Sequence, residues 1–282
     1  MIKEKNIALT GKHNKPIVTD IYYNDSLNKK PVIIFCHGYK GFKDWGAWPM
    51  VANTFAKQGF FFVAFNFSHN GGTLENPIDF PDLEAFGQNN FIKELDDLET
   101  VIKWITENKS YNKIVDIENL TLIGHSRGGG IATIKASENK YVKHIVSWAG
   151  VSDYGARFPK GEILEAWQKK GVAYIENSRT KQQMPHYIQF YDNFMENKER
   201  LSIKLACKKL NNNHLIIHGT EDSTVSLDEA KALHKWNPSS ELYIIDGATH
   251  TFNCQHPFNK EMLPKALNEV VNKTIKFITY DH

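Results

Sequence analysis

Gly124-His125-Ser126-Arg127-Gly128-Gly129-Gly130 decides the reading of this chain. The apolar run Leu120–Ile123 before it reads as a buried strand, and the stretch from Gly128 onward reads as a helix. A backbone that passes from strand to helix in so few residues must turn sharply, which leaves the residues flanking the serine little room for side chains. A serine at the apex of such a turn is held under strain with its hydroxyl exposed at the sheet edge. The helix N-terminus behind it presents backbone N–H groups to developing negative charge. The pentapeptide G-x-S-x-G recurs by accident; the strand before it and the helix after it give it meaning here. Ser126 is therefore the expected nucleophile.

A serine hydroxyl is a poor nucleophile at neutral pH and needs a base, which in turn needs an orienting acid. Among twelve histidines, His250 is singled out by Gly247-Ala-Thr-His-Thr-Phe252, which follows the last expected strand, Glu241–Ile245. His125 lies inside the turn, and its side chain is expected to point away from the base. His37 suits a structural role, and His218, His234, His256 and His282 have no comparable setting. For the acid, Asp222 in His218-Gly-Thr-Glu-Asp-Ser-Thr-Val225 follows the penultimate strand and gives the order Ser…Asp…His. Asp153, after the strand ending near Trp148, and Glu221 compete with it. His37-Gly38-Tyr39-Lys40-Gly41 directly follows the apolar run Pro31–Cys36. The backbone N–H groups of Tyr39 and Arg127 are the expected oxyanion hole.

Around these motifs strand-like and helix-like segments alternate, the pattern of an α/β fold with a mostly parallel central sheet and helices on both faces. Ile7–Leu9 and Ile17–Tyr23 read as an antiparallel hairpin. Phe60–Phe67, His144–Trp148 and His214–Ile217 read as further strands, and 48–59, 89–108 and 263–280 as helices. The reading is one domain over 1–282. About sixty residues separate the strands ending near Trp148 and starting at His214, far more than one crossover helix needs. Residues 152–207 are read as an inserted cap in which Gly171–Asn177 and Pro185–Tyr191 form two short strands. Aromatic residues there and nearby (Trp45, Trp48, Trp167, Tyr174, Tyr187, Phe190 and Tyr191) are candidates for an acyl pocket. Trp167, Tyr174 and Tyr187 are taken as the substrate-binding set, against the plainer alternative that they pack the cap onto the core.

The chain has 282 residues with 34 basic and 32 acidic ones, net +2, and no run of like charge. That balance offers no footprint for nucleic acid or an anionic membrane. No apolar stretch approaches the roughly 20 residues needed to span a bilayer. Residues 1–6 are followed by no apolar signal-peptide core. Cys36, Cys207 and Cys254 have no paired spacing, which fits a reducing compartment. A cytoplasmic protein acting on a small molecule, as monomer or homodimer, is the expectation.

H-G-Y-x-G, G-H-S-R-G-G, H-G-T-x-D-x-x-V and G-A-T-H-x-F stand in this order, and together they resemble the α/β-hydrolase superfamily over nearly the whole chain. Within it the chain looks most like the dienelactone-hydrolase-like and cinnamoyl (feruloyl) esterase-like branch. Those proteins carry a similar insertion and an H-G-F turn where Tyr39 stands here. Dienelactone hydrolases proper use a cysteine nucleophile, so Ser126 argues against that activity. The resemblance implies a serine hydrolase without metal or cofactor. Carboxylic esters are the expected substrates, with aromatic, cinnamoyl-type acyl groups favoured. An acyl- or aminopeptidase, a thioesterase, or a catalytically silent binding member of the fold are the alternatives, because the fold by itself does not choose among them.

Overall fold

The computed structural model describes residues 1–280; His282 lies outside them. The elements in chain order are β1 (Ile2–Thr10), β2 (Pro16–Tyr23), β3 (Lys30–Cys36), α1 (Trp48–Lys57), β4 (Phe61–Phe65), α2 (Leu83–Gly87), α3 (Phe91–Glu107), β5 (Val115–His125), α4 (Arg127–Glu138) and β6 (Val142–Trp148). They continue with α5 (Glu162–Lys170), β7 (Val172–Glu176), β8 (Gln183–Tyr187), α6 (Gln189–Glu196), α7 (Ile203–Lys209), β9 (Asn213–Gly219), α8 (Leu227–Trp236), β10 (Glu241–Ile245) and α9 (Lys265–Tyr280).

Eight strands form one sheet in the order β1-β2-β4-β3-β5-β6-β9-β10. β1 and β2 pair antiparallel, as do β2 and β4, and every pairing from β4 to β10 is parallel. The central parallel strand β4 is continuously apolar because helices cover both faces of the sheet there, and all five of its residues are buried. One apolar layer holds α3 and α4, the other α1 and α9. The chain winds outward in one direction from β3 to β4 and in the other from β5 to β10, so the sheet changes direction between β3 and β5. Carboxyl-terminal loops diverge at such a switch point and leave a crevice. The loops that leave it here are 37–47 and the turn at Ser126. Among the described residues no helix is long and apolar enough to cross a membrane.

Between β6 and β9 the chain forms α5, the antiparallel hairpin β7–β8, α6 and α7. Only the first half of the expected second strand is extended. β8 ends at Tyr187, and Gln189 onward is helical. Ile188, Tyr191 and Phe194, with Phe190, put aromatic and aliphatic side chains at helical spacing, and Phe190 and Phe194 reach Phe91 at ring-centroid distances of 4.9 and 6.2 Å. Burying that stripe on α3 outweighs the β propensity of the same residues.

Candidate active site

Ser126 has φ 56° and ψ −121°, a left-handed conformation unusual for any residue but glycine. The tightness of the turn is visible at the glycines on either side. A Cβ on Gly124 would collide with the Gly128 carbonyl, and one on Gly128 with the Cys36 carbonyl at the end of β3. The Ser126 amide donates to the Trp148 carbonyl (2.9 Å), and the Ser126 carbonyl accepts from Gly129 and Val151 (3.0 and 3.2 Å). The backbone is thus over-determined, which is how an unfavourable conformation persists.

His250 Nδ1 lies 2.8 Å from Asp222 Oδ2. Asp222 Oδ1 accepts from the amides of Thr224 and Val225, both at 2.8 Å, and the carboxylate is fully buried. Burial opposes its ionisation, but hydrogen bonds from His218, His250 and the Val225 amide outweigh that and hold the carboxyl well below the usual range. With Nδ1 committed to the acid, Nε2 is the His250 nitrogen left to take a proton. His250 and Ser126 line one cavity of about 120 Å³, shared with Gly38, Tyr39, Lys40, Gly41, Trp45, Trp48, His125 and Thr251.

Of the three acids weighed, Asp222 alone bonds His250. Asp153 Oδ1 instead caps its own turn, accepting from the amides of Gly155 (2.7 Å) and Ala156 (3.3 Å). Glu221 is exposed, and its amide donates to the Ala248 carbonyl (3.0 Å). His37 is buried with Nδ1 2.9 Å from the Gly38 carbonyl, while its Nε2 accepts from the Phe67 amide (3.3 Å). Burial pushes its pKa down to about 4, so it is neutral scaffolding of the turn after β3.

Two histidines stand elsewhere than expected. His125 does not point away from the base: its Nε2 donates to the His250 carbonyl (2.9 Å), and the two rings are 4.8 Å apart. Side chains alternate along a strand, so His125 extends the face on which Ile123 packs, the α1 side, where the Trp48 ring lies tilted with its centroid 5.4 Å away and the His250 loop crosses. Burial, then the neighbouring His250, lowers its pKa to about 3. His218, passed over in the sequence, is fully buried with Nε2 2.8 Å from the Val225 carbonyl and 3.2 Å from Asp222 Oδ2. A carbonyl only accepts, so Nε2 carries the proton and shares it with the carboxylate. Its signal was its spacing: it stands near the end of β9, four residues before Asp222 in the loop that follows.

The aromatic residues divide differently from the expectation. Trp45 and Trp48, from the loop after β3 and the start of α1, line the cavity; Trp167, Tyr174 and Tyr187 do not. Trp167 is buried against Phe158 and donates from Nε1 to the His186 carbonyl (2.7 Å). Tyr174 is 60% exposed on the outer strand β7. The Tyr187 hydroxyl donates to Glu84 (2.5 Å), tying β8 to α2. An indole N–H and a phenol O–H that find such partners hold the segment down rather than face a substrate. Among the described residues the Tyr39 and Arg127 amides donate to no protein acceptor, and a Cβ on Gly38 would come within 2.9 Å of Ser126 Cβ, so the two turns are in contact.

The profile of the α/β-hydrolase fold family matches residues 31–175, from β3 through the Ser126 turn to β7. The chain belongs to that family. An uncharacterized 31.7 kDa protein from the traX–finO intergenic region of Escherichia coli is 28% identical over 141 residues, 49% of this chain and 43% of that protein. The matched part therefore spans under half of that relative's length. Est1E from Butyrivibrio proteoclasticus, solved with ferulic acid bound, has a TM-score of 0.68 at 17% identity, covering 93% of this chain and 95% of that one. A dienelactone hydrolase from Anabaena variabilis has a TM-score of 0.64 at 16% identity, covering 99% and 98%. At such identities the likeness is one of fold alone.

Proposed function

We propose that this chain is a serine hydrolase that cleaves carboxylic esters through an acyl-enzyme. The observation that carries the reading is the left-handed Ser126 sharing one cavity with a histidine whose far nitrogen is bonded to a buried carboxylate. Ser126 Oγ attacks the ester carbonyl carbon as His250 Nε2 takes its proton, and Asp222 keeps the imidazole in the required tautomer and stabilises its charged form. The Tyr39 and Arg127 amides receive the oxyanion. The imidazolium returns its proton to the departing alkoxide. Water, deprotonated by His250, then releases the acid and restores Ser126.

Two indoles on the cavity wall support an aromatic or otherwise apolar acyl group, in keeping with the ferulic acid bound to Est1E. A fluorophosphonate probe should label Ser126. A panel of 4-nitrophenyl, feruloyl and acetylated-sugar esters beside aminoacyl-anilides tests the reaction class. Faster turnover of anilides than of any ester would replace the esterase reading with a peptidase; no labelling would remove the hydrolase reading altogether.

A further inference from the structure

The two residues whose amides receive the oxyanion in this reading also meet through their side chains. The Arg127 guanidinium carbon lies 4.6 Å from the centroid of the Tyr39 ring. Each partner is anchored from behind by a different element. Arg127 pairs with Glu94 of α3 (3.3 Å), a fully buried carboxylate that also accepts from Asn89 (2.7 Å), and its guanidinium is flanked by the rings of Phe91 (5.1 Å) and Phe190 (5.2 Å). The Tyr39 hydroxyl is hydrogen-bonded to His186 Nε2 of β8 (2.7 Å), and the His186 carbonyl is fixed by Trp167 Nε1 (2.7 Å). The Arg127 carbonyl accepts from the Tyr154 hydroxyl (2.8 Å).

We propose that this cation–π contact is a brace that sets the spacing of the two oxyanion-hole amides, with the side chains of Tyr39, Arg127, His186 and Glu94 acting as positioning residues. The proposal rests on the ester-hydrolase reading above and deepens it. The turn after β3 is loop, not strand, so no sheet hydrogen bonds fix the Tyr39 amide. A cation held over its ring ties it to the first residue of α4, and the desolvated setting strengthens that contact. The chain pays for this arrangement by burying Glu94, whose ionisation burial disfavours and whose second oxygen, Oε2, has no partner. The brace also explains why the inserted segment touches the site without lining the cavity: through His186 it holds the ring that holds the amide.

An oxyanion donor displaced by part of an ångström loses stabilisation of the transition state while ground-state binding is little changed. The experiment measures kcat and KM on 4-nitrophenyl acetate, fluorophosphonate labelling rate and Tm for Tyr39→Leu, Arg127→Gln and the pair together. Each single variant should lower kcat by roughly 10–100-fold with KM within about threefold, and slow labelling in proportion. The pair should be little worse than the worse single variant, because one contact is broken in all three. Tyr39→Phe keeps the ring over the cation and loses only the His186 bond, so its kcat should fall between that of wild type and that of Tyr39→Leu. Arg127→Gln leaves Glu94 without its cation and risks misfolding. Glu94→Gln with Arg127→Gln removes both charges and should show the same kcat loss in a folded protein. Multiplicative losses, a rise in KM with kcat unchanged, or a lower Tm with kcat unchanged would overturn the brace. Wild-type protein that neither labels nor turns over any ester would overturn the hydrolase reading and the brace with it.

Discussion

Ser126 occupies a backbone conformation that costs of order 1–3 kcal/mol for a residue with a side chain, held by three backbone hydrogen bonds, to Gly129, to Trp148 at the end of β6 and to Val151 just beyond it. Replacing it with alanine keeps that backbone and removes the hydroxyl. Ser126→Ala should lower kcat on any accepted ester by on the order of 10⁴–10⁶-fold and abolish fluorophosphonate labelling. Full labelling of the variant would place the nucleophile elsewhere. The acids separate just as cleanly. Asp222 receives two amides and two imidazoles, whereas Asp153 receives only the amides of its own turn. Asp222→Asn should cost up to about 10⁴-fold in kcat by favouring the wrong imidazole tautomer, and Asp153→Asn under about tenfold. Steady-state kinetics on both variants decides it, and reversed penalties would sink the assignment of Asp222.

The segment between β6 and β9 shows what an element does beyond its own packing. Its aromatic side chains were candidates for a substrate pocket, but Trp167, Phe190 and Tyr191 pack with Phe158, and Phe190 reaches α3 through Phe91, forming a joint between segment and core. Acyl selectivity should therefore lie with the loop after β3. Trp45→Ala should change the ratio of kcat/KM for a feruloyl or butyryl ester over an acetyl ester by about 10-fold, the worth of a few buried apolar groups. Tyr174→Ala and Tyr187→Phe should leave the same ratio within about twofold. If Tyr174→Ala moves the ratio and Trp45→Ala does not, the pocket belongs to the inserted segment after all.

At the scale of the whole molecule, burial of neutral histidines gives stability a pH dependence. His37, His69 and His186 have pKa values pushed down to about 4, and His125 and His214 to about 3, burial being the first cause in each. A histidine with a depressed folded pKa binds its proton in the unfolded chain first, so stability is complete above its ordinary value of about 6.5 and is lost as pH falls toward the folded value. Asp97, raised to about 7 chiefly by burial, and Glu94, also raised, act in the opposite sense across the same range. His256 is lowered too, chiefly by burial, so six groups against two leave a net loss on acidification. Thermal unfolding followed from pH 7.5 to pH 5 should show Tm falling by on the order of 5–10 °C. A flat or rising Tm would mean the histidines are charged in the folded protein.

Much of this was open to reading in the linear chain, for reasons that are local. A strand buried on both faces must be continuously apolar, a strand-to-helix turn must be flanked by glycine, and the order of Ser126, Asp222 and His250 follows from which strand each one leaves. Those constraints act within a few residues, so the α/β fold, the main sheet strands and the candidate triad were all legible. What only the tertiary structure decided involves partners far apart in sequence. The direction of His125 depends on a loop 125 residues later, and the switch from β8 to α6 depends on the face Phe91 offers. Tyr39 meets His186 across 147 residues. Sequence periodicity assigns each side chain a face; which side chain it meets there is settled by packing.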